Sequence, residues 1–198
     1  MITVLSSPKP GTGVSTTAAL LALAVRHGAH THVVDLAGDQ RTLLGATHTA
    51  DVVTPVTERL TVHDLTDADL GAQLDVLHRL ARLGEHVIVD AGPATHPIHD
   101  RLPAGTVRRW VLRPCYLTLR RATATDARPD EVILLEELGR ALTARDVEAV
   151  TAAPVTATIE VHPQIARIVD AGLLTARPPA GALATLETLT RSDQAATR

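Results

Sequence analysis

The residues best suited to chemistry lie in one short run near the N-terminus, Ser6-Ser7-Pro8-Lys9-Pro10-Gly11-Thr12-Gly13-Val14-Ser15-Thr16-Thr17. An apolar run precedes it and an Ala/Leu-rich run follows, so it reads as a loop between a strand and a helix. Glycines such as Gly11 and Gly13 let successive backbone N–H groups curl around an anion. The helix start adds a positive dipole end. Lys9 is the only lysine in the chain, which makes its position inside this loop notable. The bland alternative is a tight strand-to-helix connection with no ligand.

Other candidates are more scattered. Asp35 and Asp90 close two apolar runs, where a carboxylate can serve a site or simply accept hydrogen bonds from backbone and hydroxyl groups. Arg108, Arg109, Arg113, Arg120 and Arg121 flank a strand and the following helix. They would form a basic patch able to meet a nucleic-acid backbone, or else a set of solvated and ion-paired side chains. His96, His99 and Asp100 have metal-ligand types, but no Cys or third His is placed to join them. Cys115 has no catalytic motif around it and reads as a small apolar packing residue. Asp126, Arg128 and Asp130 read as a solvated turn.

The elements that would hold these residues alternate in type. Strands are expected at residues 2–5, 32–36, 86–89, 109–112, 132–135 and 155–159. Residues 40–65 are less regular and hold a short strand near 60–62. Helices are expected at 15–27, 68–83, 144–152 and 163–171, with another after the strand at 109–112. Leu70, Leu74, Leu77, Leu80 and Ala81 give the second of these one apolar face. Gly172 is a natural stop for the helix at 163–171. Leu183, Leu186 and Leu189 mark a final helix, with a frayed tail over 191–198. Short apolar runs alternating with helical patterns make this an α/β protein, a mostly parallel twisted sheet with helices on both faces. Residues 1–190 form one domain.

Composition supports that reading and narrows function. The chain has 198 residues, 45% apolar and 21% charged, enough for one core and too few for two. Trp110 and Tyr116 are its only aromatics, so the core must be Leu, Val, Ile and Ala, as buried parallel sheets usually are. The formal charge of −3 argues against a generally basic nucleic-acid binder. A lone cysteine excludes an internal disulfide and fits a reducing cytoplasm. The N-terminus lacks the basic and apolar regions of a signal peptide, and no apolar run reaches a membrane-spanning length.

The loop resembles the deviant Walker A box of the ParA/MinD family of P-loop ATPases, a Lys-Gly-Gly-x-Gly-Lys-Thr run after the first strand. The resemblance implies that Lys9 is the signature lysine, which reaches phosphate across a dimer interface. It also implies that Gly11 and Gly13 are the second and third loop glycines. Ser15 would be the magnesium-binding hydroxyl and Thr16 the residue beside it, with Thr12 between the glycines. Val34-Asp35-Leu36 is similar to the family's Asp-x-Asp segment. Val87-Ile88-Val89-Asp90-Ala91-Gly92-Pro93 is similar to its Walker B strand and switch. Ala157-Thr158-Ile159 and Asp170-Ala171-Gly172-Leu173-Leu174 resemble its late strand and a "DAGLL" helix end.

Four positions depart from that pattern. Val14 stands at the P-loop lysine, the cation that contacts terminal phosphates. Pro10 replaces a loop glycine and has no N–H to offer. Ala37 falls where the second Asp would orient water, unless Asp39 takes that part. Glu136 lies where relatives place an adenine-reading Asn, and a carboxylate cannot supply that amide's donor. The expectation is therefore a partition or positioning protein whose nucleotide site is vestigial. Lys9, Gly11, Thr12, Gly13, Ser15, Thr16, Asp35 and Asp90 would be its remnants, and no residue is assigned as catalytic. No cofactor is required, and ATP with magnesium, held through Ser15 and Asp90, would bind weakly. Partners implied are a second copy of the chain, a protein of partition or assembly machinery, and DNA backbone without sequence preference. The last helix lacks the basic amphipathic character of a MinD-type anchor, so no membrane is expected. The alternative is a slow ATP-dependent switch that uses Lys9 across the dimer.

Overall fold

The computed structural model describes residues 1–26, 28–46 and 51–196. The expected helix end at His27 and the last two tail residues lie outside these. Among the described residues the eight strands are β1 (Ile2–Ser7), β2 (Thr31–Asp35), β3 (Val53–Thr57), β4 (Leu60–Asp64), β5 (His86–Pro93), β6 (Val107–Leu112), β7 (Glu131–Glu136) and β8 (Val155–Glu160). The helices are α1 (Val14–Val25), α2 (Gln40–Leu43), α3 (Leu70–Ala81), α4 (Tyr116–Thr123), α5 (Ala144–Thr151), α6 (Pro163–Asp170) and α7 (Ala180–Ala196). The strands form one sheet in the order β3-β4-β2-β5-β1-β6-β7-β8. Every neighbouring pair is parallel except β3 with β4.

Two layers of apolar side chains flank the sheet, which is why its strands read as continuous apolar runs rather than alternations. On one face Leu5, Val33, Ile88, Val111 and Ile133 pack with α1 and with Leu186 and Leu189 of α7. Ten of the twelve residues of α1 are buried, so this helix lies between sheet and α7 and has no polar side. On the other face Val4, Val34, Val87 and Val89 pack with Leu77 and Leu80 of α3. Trp110, Leu112, Val132 and Leu134 pack there beside α4 and α5. Adjacent residues such as Val33 and Val34 thus serve opposite layers.

Local chemistry sets the helix starts. Asp69 accepts the Ala72 N–H at 2.8 Å to cap α3, and Thr143 with Asp146 forms a capping box on α5. α1 starts differently, from Gly13 in a left-handed conformation with no side-chain cap. α7 continues to Ala196, past the point where the sequence suggests fraying. The strand missing from the sequence reading is β3, an antiparallel edge strand interrupted by Pro55. An edge is where a sheet tolerates a residue with no N–H.

A buried polar chain lies on the α3 side of β2 and β4. His32 Nδ1 is 3.0 Å from His63 Nε2, and His32 Nε2 is 2.6 Å from Glu85 Oε2. Burial, and then the neighbouring His32, Arg79 and His30, push His63 down to about 4. The folded chain therefore binds a proton at His63 less readily than the unfolded chain does. Stability should be full above the ordinary histidine range and fall as pH drops from about 6.5 to 4, by about 2 kcal/mol after allowing for screening. Urea unfolding at pH 7 and pH 4.5 checks this. His63→Gln should flatten the profile, and an unchanged slope would remove His63 as its cause.

Candidate phosphate-loop site

β1 delivers the chain into residues 8–13, and two glycines make the turn possible. Gly11 and Gly13 have φ of 74° and 99°, which side-chain-bearing residues rarely adopt. A Cβ on Gly13 would also sit 2.9 Å from Leu135 Cδ1. Lys9 Nζ donates to the Pro10 carbonyl at 3.3 Å, folding the ammonium over its own loop. Thr12 is buried, and its hydroxyl has no partner among the described residues. Val14 is buried within the α1 core cluster.

Ser15 lies beside a group of carboxylates. Its hydroxyl donates to Asp39 Oδ2 at 3.3 Å. Asp35 and Asp90 are direct partners across β2 and β5, which brings two buried acids to the same end of the sheet. Asp35 accepts the backbone N–H groups of Ala37, Gly38 and Gln40 at 3.0, 2.7 and 2.8 Å. Its carboxylate is therefore committed to shaping the β2–α2 turn. Asp90 accepts from the Gln40 amide at 2.8 Å and the Gly92 N–H at 3.2 Å. Burial raises the pKa of Asp90 against the hydrogen bonds of Gln40 and Ser15, and nearby Asp35 raises it further. Burial likewise raises Asp35 against its three backbone donors.

Gln40 is the residue that sequence reasoning missed. It is fully buried, its amide nitrogen reaches both the Ser15 carbonyl at 2.9 Å and Asp90, and its Oε1 has no partner among the described residues. It ties the start of α1 to the ends of β2 and β5. Nothing in its neighbourhood in sequence marks a polar residue as interior. The alternative that Asp39 acts in place of Ala37 acquires a specific geometry, since Asp39 contacts the Ser15 hydroxyl while Ala37 is exposed.

On the opposite side of the α1 start, Gly13, Thr16 and Leu20 line a cavity of about 350 Å³. Arg113 borders it, with its Nε donating to the Thr12 carbonyl at 3.4 Å and one terminal nitrogen bonded to Glu137 at 2.7 Å. Leu135 is part of the wall, whereas Glu136 is exposed and outside it. α6 forms the outer side through Ile165 and Val169.

The five-arginine patch does not form as a unit. Arg108 pairs with Asp130 at 2.9 Å, Arg109 is 0% exposed and pairs with Glu131 at 2.7 Å, and Arg113 serves the loop. Arg120 and Arg121 stand exposed on α4, and the Arg108 side chain, though paired, is itself 44% exposed. Asp130 is exposed before β7, as a solvated turn residue would be, and also pairs with Arg108. His96 caps the turn at Pro97–Arg101 by accepting the Ile98 N–H. Among the described residues no group of three or more His, Cys, Asp or Glu is arranged to hold a metal ion. Cys115 sits at the start of α4 with Sγ 3.1 Å from the Thr118 hydroxyl.

No family model matches the chain, and no curated protein does. Solved structures do match nearly end to end. A ParA family ATPase from Chlorobium tepidum is 19% identical, with a TM-score of 0.74, over 93% of this chain and 96% of that one. A chain of the MinC:MinD cell division protein complex from Aquifex aeolicus is 16% identical, with a TM-score of 0.75, over 96% of this chain and 94% of that one. Cyanothece McdA in complex with ATP is 14% identical, with a TM-score of 0.65, over 97% and 96%. The mostly parallel eight-stranded sheet of this chain, with its flanking helices, is thus a fold it shares with the ParA and MinD ATPases.

Proposed function

We propose that this chain is a partition or positioning protein of the ParA/MinD type, acting as a homodimeric binding module with a degenerate nucleotide site. The observation that carries the reading is the charge around the loop. Val14 supplies no cation where the fold's relatives place one, and Ser15 is bonded to Asp39 with Asp35 and Asp90 close behind. A triphosphate would bring further negative charge to three carboxylates, with Lys9 and the Glu137-paired Arg113 beside the loop but no lysine at position 14. The carboxylates beside Ser15 suit a magnesium ion, but the loop lacks the lysine that would clamp the phosphates themselves. Thr12, Gly11, Gly13 and Thr16 keep the shape of an anion loop without its main charge.

The surface beside the loop supports self-association. Tyr116 and Leu117, just beyond β6, are 72% and 48% exposed, and Leu138, just beyond β7, is 91% exposed. The segment that leads from β6 into α4 and the segment after β7 are held together by the Arg113–Glu137 ion pair. Apolar side chains this exposed at one end of a sheet suit burial against another protein. A second copy is the occupant proposed here, and a further protein of partition or assembly machinery would then bind the dimer, as MinC binds MinD. Any hold on DNA would rest on Arg120 and Arg121, and so would be weak, sequence-independent and lost with salt. The site of action is the cytoplasm.

Sedimentation velocity without nucleotide, then with magnesium-ATP, tests the reading. A dimer is expected in both, and Leu138→Asp should make it monomeric. A monomer that dimerises only on adding ATP would instead favour the slow ATPase switch. Lys9, held by a single exposed carbonyl bond, would be free to cross between subunits in that case.

A further inference from the structure

β8 closes one side of the sheet, with β7 as its one neighbouring strand. The Val161 N–H donates to the Glu136 carbonyl at 2.8 Å. Backbone groups along a strand face alternate sides, so Ile159 also faces β7, while Thr158 and Glu160 carry their N–H and C=O groups on the open side. Sheet edges are commonly blunted by proline, lysine or a bulge. β3, at the other edge, carries Pro55. β8 contains neither proline nor lysine, and its register shift falls near its start, which leaves residues 157–160 in unbroken register with β7.

A trough runs beside this edge. A groove of about 860 Å³ between β8, α6 and the start of α7 adjoins a second hollow of about 490 Å³, and Thr158 and Thr185 border both. Ile159, Ile165, Ile168 and Leu173 give the groove apolar walls. No residue of α6 is fully buried, so its apolar side chains still have surface to cover. Arg167 and Arg177 line the groove and are exposed, and neither side chain has a hydrogen bond or ion pair among the described residues. Glu160 is the one acid that borders it, and His162 accepts the Gln164 N–H at 3.1 Å. Glu131, in the second hollow, is paired with Arg109. Two unpaired cations against one carboxylate leave the groove positive on a chain of formal charge −3.

We propose that the β8 edge binds an acidic, extended segment of a partner protein, which joins the sheet as a further strand. The open groups of Thr158 and Glu160 supply main-chain hydrogen bonds, which any extended segment can use. The trough supplies selectivity, because side chains of an added strand point alternately to its two faces. Apolar side chains on one face enter the groove, and carboxylates meet Arg167 and Arg177. A second copy of β8 matches this charge less well, since it brings two more arginines with each Glu160. The site includes none of Tyr116, Leu117 and Leu138, and it does not rest on the state of the phosphate loop.

Selection on the purified full chain from a library of random dodecapeptides tests this, with the selected peptides then measured free in solution by fluorescence polarisation. Peptides that alternate apolar, β-branched residues with others and carry Asp or Glu are expected to be enriched, and their affinity should fall as salt rises. Arg167→Glu combined with Arg177→Glu, both at exposed positions, should weaken them at least tenfold. Thr158→Pro should do the same, since it removes an N–H on the open side and spares the bonds to β7. The urea midpoint reports whether each variant keeps its fold. Enrichment of no such class, or binding that both changes leave within threefold, would overturn the assignment. Weakening by the arginine substitutions alone would reduce the site to a charged surface and refute the added strand. Self-association lowered by Thr158→Pro, with no peptide bound, would place a second copy at this edge and refute the partner segment. None of these results bears on ATP turnover or on Leu138→Asp, so the two readings fail separately.

Discussion

Arg109→Met is expected to lower the stability of the folded chain by about 3–5 kcal/mol, the usual result of removing one partner of a buried ion pair. Arg109 is 0% exposed in the middle of the sheet. Its Nε donates to Glu131 Oε2 at 2.7 Å and a terminal nitrogen to the Thr3 hydroxyl at 3.3 Å. Glu131 also accepts from Thr156 at 3.1 Å, so the group ties β1, β6, β7 and β8 together. Methionine fills similar space but leaves the Glu131 carboxylate without its cation and Thr3 without its donor. At a urea dependence of about 2–3 kcal/mol per molar, the unfolding midpoint should fall by more than 1 M. Glu131→Gln in the Arg109→Met background should recover part of the loss, because it removes the stranded charge. A midpoint shift below about 0.3 M would mean that the pair contributes little beyond packing. The same variant bears on function, since a buried guanidinium cannot touch DNA. Any salt-sensitive DNA binding should survive Arg109→Met at temperatures where the variant stays folded, and should weaken with Arg120→Ala.

The α/β architecture was legible because both layers of the sheet are apolar, which leaves uninterrupted runs such as 87–89 and 132–135, separated by helical spacing. The elements that escaped notice lack those cues. α2 is a single turn with no periodicity, and β3 carries Pro55 at a sheet edge, with only Thr54 of its five residues fully buried. The phosphate-type loop was legible from glycine spacing between a strand and a helix, and Gly11 and Gly13 have the positive φ that spacing implies. What could not be read is which charges meet. Arg108 and Arg109 look like members of a basic patch until the β6–β7 register sets Arg109 opposite Glu131. A signal was present, two arginines opening one strand and Asp130-Glu131 opening the next, but using it requires knowing that the strands are adjacent and parallel. Gln40 had no such signal. Its burial follows from the turn that Asp35 builds by accepting three backbone N–H groups, a property of the folded loop and not of local composition.

Incubated with ATP and magnesium, the protein is expected to release phosphate at less than roughly a thousandth of the 1–100 s⁻¹ typical of phosphoryl-transfer enzymes. Phosphoryl transfer depends on fixed positive charge around the transferring group and on a held nucleophile, and this loop is short of both. Position 14 carries an isopropyl group packed into the core cluster of α1. Ala37 is exposed and offers no acid to orient water, and Asp39 is occupied with the Ser15 hydroxyl. Val14→Lys should therefore not restore turnover by itself. It supplies a cation but leaves Pro10 without an N–H and Ala37 without a carboxylate, and it exchanges a packed apolar side chain for one that must reach out of the core. Adding Ala37→Asp to Val14→Lys is the smallest change that addresses both charge and water, and a rise in phosphate release should need the two together. A tenfold rise with Val14→Lys alone would reduce the defect to a missing cation. Turnover by the unaltered chain above the stated bound would show that Lys9, or another group, already supplies what position 14 lacks.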